Sequence, residues 1–172
     1  NTTYDNNISN LKTDLVTENT IKAYGKISKF ICSGTILKGT GVRLINKVVN
    51  EINTLCVETY TKITSVSEEK KGAAFLGIAL NDADSETNLN TVYVCTNGIT
   101  TIKIGNTVSN INCGSYGVLS FTSENGEIIS LGTEFSIGAN TPVAGYFLED
   151  ITTLVLKDSN ILFYVKGNFE FR

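Results

Sequence analysis

Short runs of apolar residues, separated by glycine, asparagine and charged residues, dominate the chain from about residue 29 onward. Several runs alternate apolar with polar positions, as strands with one buried face do. The pattern predicts an all-β fold, a small barrel or sandwich of short antiparallel strands. The predicted strands are Lys29–Cys32, Thr35–Leu37, Val42–Ile45, Leu55–Val57, Ala73–Leu80, Val92–Cys95, Thr100–Ile104, Gly117–Phe121, Ile128–Leu131, Val143–Leu148 and Ile161–Val165.

The first 28 residues lack this strand pattern. Their apolar residues Ile8, Leu11, Leu15 and Val16 fall at helical spacing, which predicts a short helix within an N-terminal arm. We therefore divide the chain into an arm, residues 1–28, and a β-barrel or sandwich domain, residues 29–172. A chain without the arm is expected to keep a folded barrel that no longer assembles in its place.

Glycine positions predict where the backbone turns or is approached closely. Asn97-Gly98 and Asn125-Gly126 each carry the strongest short signal for a hairpin turn. Gly77 interrupts the apolar run Ala73–Leu80, and a glycine within a buried strand indicates close approach of another backbone. Its replacement by valine is therefore expected to be severely destabilising.

Composition narrows the classes of function. The 172 residues are 41% hydrophobic and 18% charged, which suits one folded domain. Fourteen basic and seventeen acidic residues give a net charge of −3, so we expect no nucleic-acid partner. No apolar run reaches the roughly 18 residues of a membrane-spanning helix. The chain contains no histidine, which excludes any mechanism that relies on a histidine of its own.

The four cysteines, Cys32, Cys56, Cys95 and Cys113, are widely separated and form no Cys-x-x-Cys pair. Structural zinc sites use closely spaced pairs, so no metal is predicted. Three disulfide pairings are possible, and the spacing does not choose among them. The simplest interpretation is that they are buried thiols within strands.

The other polar residues do not match the motifs of known metal, acid–base or phosphate sites. Asp82, Asp84 and Glu86 alternate as calcium ligands can, but the segment lacks the glycine and distal glutamate of an EF-hand loop. The neighbours Glu68 and Glu69, and Glu149 and Asp150, would point to opposite faces of a strand. Gly39-Thr40-Gly41 lacks the Gly-Lys-Ser/Thr of a phosphate-binding loop. Asn1 and Asn7 begin glycosylation sequons, which arise readily in an Asn/Thr-rich chain. We predict no catalytic, cofactor-binding or metal residues, no cofactor and no enzymatic activity.

An ordered series of short motifs resembles one protein family. The motifs are Lys38–Val42, Phe75–Ala83, Val92–Val94, Asn97–Ile99, Gly117-Val118, Asn125-Gly126, Val143–Glu149 and Ile161–Val165. In this order they resemble the small β-barrel decoration proteins, also called head-stabilising or cement proteins, of tailed-phage and related large-virus capsids. The segment before Lys38 and the four cysteines depart from that pattern.

The resemblance implies a non-enzymatic virion protein on the outer capsid surface. It would be a homo-oligomer, a trimer in the family pattern, and would bind between major capsid subunits. No individual contact residue carries over, because the family is defined by its strand pattern.

A receptor- or glycan-binding adhesin or spike domain is the alternative. Asn97, Asp82 or Tyr116 on loops would then hold sugar hydroxyls beside a stacking aromatic ring. The two hypotheses differ in their surfaces, because a glycan site needs exposed aromatic rings beside polar groups, whereas a cement protein needs broad faces for its neighbours.

Overall fold

A computed structural model of the chain describes residues 2–16, 21–60, 75–119, 126–130 and 143–166. Several predicted features lie outside these residues: Asn1, the Glu68/Glu69 pair, Ala73, Ala74, Phe121, Asn125 and Leu131. Within the described ranges the chain forms one helix and eleven strands: α1 Thr2–Val16, β1 Tyr24–Cys32, β2 Thr35–Ile36, β3 Gly41–Val49, β4 Ile52–Thr59, β5 Phe75–Ala79, β6 Ala83–Asp84, β7 Thr91–Lys103, β8 Tyr116–Leu119, β9 Ile128–Ser130, β10 Val143–Phe147 and β11 Asn160–Val165.

Five strands close into a small barrel. Their order is β1-β4-β3-β5-β7, and β1 closes the ring by pairing with β7 as well as with β4. The β1–β4 contact is parallel and joins Ile31 to Cys56, whereas β1 runs antiparallel to β7 along most of its length. The residues packed together within this barrel are Cys32, Ile36, Val42, Val57, Leu76, Ala79, Ala83, Val92 and Val94.

The long strand β7 also belongs to a second, curved sheet in the order β7-β11-β10-β8-β9. A parallel bridge between Ile104 and Ile128 brings the far strand of this sheet back to the end of β7. A larger apolar cluster, which includes Phe147 and Phe163 in edge-to-face contact at 5.2 Å, fills the space behind it. The predicted all-β barrel or sandwich of mainly antiparallel strands, with a short N-terminal helix, is confirmed.

The hairpin predicted at Asn97-Gly98 is wrong. Both residues lie inside β7, which continues without a turn for 13 residues. Gly98 has φ +128°, and a Cβ there would lie 2.7 Å from the Cα of Gly25 on β1. Gly98 therefore allows β1 and β7 to approach closely. This close contact between strands decides its structure here, rather than the tendency of Asn-Gly to form a turn.

A β-bulge in β7 explains how one strand serves both cores. The register with β1 shifts by one residue between Lys26 and Ile27, which leaves Thr96 without a partner residue on β1. Cys95 before the bulge and Ile102 after it both face the larger cluster. In a regular strand, residues seven positions apart would face opposite sides. An extra residue reverses which face each later side chain takes.

The hairpin predicted between residues 117 and 131 forms as β8 and β9. Leu119 pairs with Ile128, so the connection is longer than a two-residue Asn-Gly turn. Because Asn125 is outside the described residues, its predicted part in the turn stays a prediction.

The N-terminal arm is mostly helix and packs on the outside of the second sheet. Thr101 and Leu162 are paired across β7 and β11 and are almost fully buried, yet they belong to neither apolar cluster. Because α1 contacts both strands, it covers this pair, and its own Leu15 is 1% exposed. Strand structure begins at Tyr24, earlier than predicted, so residues 24–28 of the predicted arm are the first part of β1. The division of the chain at residue 28 stays a prediction.

Candidate interaction surfaces

Two of the acidic residues considered as calcium ligands accept hydrogen bonds from backbone N–H groups. Asp82 Oδ1 accepts a hydrogen bond from the Lys38 N–H at 2.8 Å, and Asp84 Oδ1 accepts one from the Glu86 N–H at 2.9 Å. Both bonds fix the connections around the small β2–β6 pair. Among the described residues, no three histidine, cysteine, aspartate or glutamate side chains come together as metal ligands.

Glu149 and Asp150 also have structural partners. They lie in the connection after β10, where Glu149 Oε2 accepts the Leu162 N–H at 2.7 Å and its Oε1 lies 3.1 Å from Lys12 Nζ. Asp150 Oδ1 accepts the Cys113 N–H at 2.8 Å. The two carboxylates therefore point to separate partners, and one of them anchors α1 to the sheet.

The Gly39-Thr40-Gly41 segment is a turn whose donors are already used. The Gly39 N–H donates to the Ala79 carbonyl oxygen at 2.9 Å, and the Gly41 N–H donates to that of Gly126 at 2.6 Å. Thr40 Oγ1 donates to the Leu37 carbonyl oxygen. These groups are not free to hold a phosphate.

A cleft of ≈ 400 Å³ lies beside this turn. Leu37, Thr40, Lys103, Glu127, Lys157 and Asp158 line it. Lys157 Nζ lies 3.3 Å from Glu127 Oε1, so opposite charges partly neutralise each other within the cleft.

The four thiols are free, and three of them are buried as predicted. Burial raises the pKa of Cys95 to about 11 and raises that of Cys32 as well, which keeps both as unreactive thiols at neutral pH. Cys113 is exposed, in contrast to the simplest interpretation of the sequence.

We expect one of the four thiols to react rapidly with a maleimide or with Ellman's reagent in the native protein. Peptide mapping should place the label on Cys113, because the thiolate must be accessible to react. All four should react in guanidinium chloride. Fast native labelling of Cys32, Cys56 or Cys95 would contradict the buried placement.

The β3–β4 hairpin extends beyond the barrel. We call residues 46–55 the hairpin arm. Its two strands stay in register up to the Val49–Ile52 pair, and Asn50 and Glu51 make the turn with φ +52° and +67°. Positive φ at both central residues is the geometry of a type I′ turn. The sequence did not reveal this turn, because glutamate is unusual at its second position.

The hairpin arm exposes large aliphatic side chains. Val48 is 63% exposed, Ile52 67% and Leu55 57%. Val48 and Leu55 lie on the face that carries Val42 and Val57 into the barrel core, so this apolar face continues beyond the barrel into solvent.

Among the described residues, no strand pairs with either outer edge of the hairpin arm along its length. β5 pairs with β3 only as far as Arg43, and β1 pairs with β4 only at Cys56 and Val57. In the part of the chain that the structure describes, no other strand pairs with the arm beyond these points. Unpaired strand edges and exposed aliphatic residues together are typical of a segment that another chain covers.

A second exposed surface is formed by Tyr116, Tyr146 and Tyr164, which we call the tyrosine row. The three residues are partners in register on β8, β10 and β11 and therefore share one face of the second sheet. The ring centroids of Tyr116 and Tyr146 are 5.1 Å apart, and those of Tyr146 and Tyr164 are 6.5 Å apart. Tyr164 Oη donates to Asn97 Oδ1 at 3.1 Å.

The structure brings together two of the three residues predicted for a glycan site. Asn97 and Tyr116 lie at the two ends of the tyrosine row, whereas Asp82 lies in the connection after β5 and holds Lys38. Sequence reasoning missed Tyr146 and Tyr164. Both sit in apolar strand runs, and only the register between strands shows that they align.

Beyond the Asn97 end of the row, Tyr24 pairs with Ile99 and connects the sheet to α1. Tyr24 Oη donates to Asp14 Oδ2, and Lys22 Nζ lies 2.5 Å from the same carboxylate oxygen. The hydrogen bond from Lys22 lowers the pKa of Asp14, with Tyr24 contributing in the same direction. These contacts fix the position of the N-terminal segment where it leads into β1.

Comparisons with known proteins give a partial likeness to solved structures. No protein-family model matches the chain, and a search of curated proteins found no match. Among solved structures, it is similar to the head fiber gp8.5 N base of bacteriophage phi29, at 12% sequence identity and a TM-score of 0.46. The likeness covers 85% of this chain and 98% of that one.

No helix among the described residues is long and apolar enough to cross a membrane.

Proposed function

We propose that this protein is a non-enzymatic structural component of a virus particle. It decorates and stabilises the outer capsid surface by binding between major capsid subunits. The hairpin arm carries the proposal, because it projects an apolar surface from a closed barrel and no described strand pairs with its two outer edges. The ordered motifs that resemble capsid decoration proteins support the same function.

The hairpin arm suits attachment to a repeating shell. Val48, Ile52 and Leu55 would each bury modest apolar area against a capsid subunit, and the outer edges of the arm would add main-chain hydrogen bonds. Individually weak contacts act together when several arms of one oligomer engage neighbouring subunits. A homo-oligomer of matching symmetry, a trimer in the family pattern, meets this need.

The polar residues support a role without chemistry. The carboxylates of Asp82, Asp84, Glu149 and Asp150 each accept a backbone N–H, and the chain has no histidine to act as a base. Groups held in fixed hydrogen bonds to the backbone stabilise connections and do not converge on a substrate.

Quantitative mass spectrometry of purified particles from the source organism tests the proposed location. With the major shell protein as the internal standard, we expect a fixed copy number comparable to that of the shell protein. Absence from particles, or only a handful of copies, would contradict decoration of the capsid surface.

A double variant tests the attachment surface. Val48→Asp with Leu55→Asp puts two charges on one face of the hairpin arm, where they must be desolvated on docking. We expect the recombinant variant to lose at least about tenfold of its affinity for particles stripped of this protein. Its thermal stability should stay close to that of the parent, because both side chains are exposed.

Leu154→Asp with Leu156→Asp is the matched control, since these residues are 68% and 63% exposed and flank the Val108–Val155 bridge in the connection between β10 and β11. It should bind stripped particles as the parent does. Equal binding by the hairpin-arm variant would show that the arm is not the attachment surface, whereas absence of the parent from particles would remove the capsid proposal itself.

A further inference from the structure

We propose that the tyrosine row binds a neutral carbohydrate chain, with sugar rings stacked on the tyrosine rings and Asn97 bonded to sugar hydroxyls. The site is formed by side chains of three neighbouring strands, β8, β10 and β11, together with one residue of β7. It is separate from the hairpin arm and does not depend on attachment to a capsid.

The aromatic geometry is the first observation behind this inference. The rings of the row are tilted by 39° and 38° with respect to their neighbours and follow one another across the sheet. Tyr116 is 42% exposed, and Tyr146 and Tyr164 are partly exposed. A pyranose ring has a face of C–H groups that packs on an aromatic ring, so successive sugars can lie along such a row.

Polar groups at the same face supply the second observation. Asn97 is exposed, and its side-chain oxygen is held by the Tyr164 hydroxyl, which fixes the orientation of the amide. The amide nitrogen is then directed by that bond and can donate to a ligand hydroxyl. Tyrosine itself combines a stacking ring with a hydroxyl that can donate or accept.

The charge of the surface selects the class of ligand. The sequences of β8, β10 and β11 contain no charged residue. Single-stranded nucleic acids also stack on aromatic rings, but they need a positively charged path for the phosphates. Lys26 on β1 is paired with Asn97 and is a charged neighbour at that end of the row, but the three strands that carry the rings offer no positively charged path. A neutral chain of hydroxyl-bearing rings therefore fits this aromatic surface better.

A protein partner is less well matched to the tyrosine row than to the hairpin arm. The hairpin arm offers aliphatic side chains and edges with which no described strand pairs, whereas the row consists of aromatic rings on strands that are paired within the sheet. The two surfaces therefore suit different kinds of ligand.

Titration of the full chain with defined oligosaccharides tests the proposal. The probes are maltohexaose, cellohexaose and chitohexaose, which represent polysaccharides, and a desialylated biantennary N-glycan, which represents glycoproteins. The chain has no tryptophan, so its own tyrosine emission reports ring stacking. We expect at least one probe to bind, as measured by calorimetry, and to change the tyrosine emission. Binding of a polysaccharide fragment or of the N-glycan then identifies the source of the ligand.

Variants locate the binding. Tyr146→Ala removes the central ring and is expected to weaken binding about tenfold or more, whereas Tyr146→Phe keeps the ring and most of the affinity. Leu154→Ala, at an exposed aliphatic residue, should bind as the parent does. If Tyr146→Ala fails to fold by circular dichroism, Tyr116→Ala at the exposed end of the row replaces it.

Three outcomes would overturn the proposal: no binding of any of the four probes, binding that survives loss of the ring, or binding of oligo-deoxythymidine in preference to every sugar.

Discussion

Gly77→Val is expected to destabilise the protein by about 3 kcal/mol or more, a large part of the whole stability of a typical domain. A Cβ at this position would lie 2.9 Å from the carbonyl carbon of Cys95 and closer still to its oxygen. It would also lie 2.9 Å from Cγ1 of Val94, which is fully buried. Since backbone atoms of β7 cannot move aside without disturbing both cores, thermal melting and guanidinium denaturation should show the loss directly.

Gly34→Ala provides the control. Gly34 has φ +74°, but a Cβ there would meet no atom within 4 Å, so only the backbone conformation is strained. This change should cost roughly 1–2 kcal/mol. If Gly77→Val melts with the parent, or no lower than Gly34→Ala, β5 and β7 do not approach each other as closely as described.

The apolar runs predicted most of the strands, because burial of one or both faces fixes the local pattern. The run ending at Leu80 became β5, and Ile161–Val165 became β11. The sequence could not show that Val92 and Lys103 belong to one strand. That outcome depends on contact between Gly98 and Gly25, residues far apart in the chain. A long-range contact of this kind leaves no local signal in the sequence. Here it overrode the strong local signal for a turn at Asn97-Gly98.

The candidate surfaces were only partly predictable for the same reason. Asn97 and Tyr116 were recognised as polar and aromatic residues that could meet a ligand, but the sequence placed them on loops. Strand register aligns Tyr146 and Tyr164 between them. The hairpin arm was hidden by its Asn50-Glu51 turn, and of its exposed aliphatic residues only Leu55 lay in a predicted strand.

Two N-terminal deletions should behave differently. A chain lacking residues 1–20 loses α1 and uncovers Leu162, and we expect it to fold with a loss of roughly 2–3 kcal/mol, the value of one large buried side chain. A chain lacking residues 1–28 also loses the part of β1 that pairs with residues 94–99 of β7. At about 1 kcal/mol for each lost backbone hydrogen bond, this should cost roughly 3 kcal/mol more.

The longer deletion leaves Lys29–Ile31 to close the barrel against β7. Its total loss would approach the whole stability of a typical domain, so its circular dichroism should show partial or complete unfolding at 37 °C. The sequence pattern had suggested that this fragment would stay folded, because strand structure was not expected before Ser28. Equal guanidinium midpoints for the two deletions would mean that residues 24–28 contribute little to barrel closure. A folded shorter deletion that still occupies particles would further show that α1 stabilises the sheet and has no part in assembly, which would leave the hairpin arm as the attachment element.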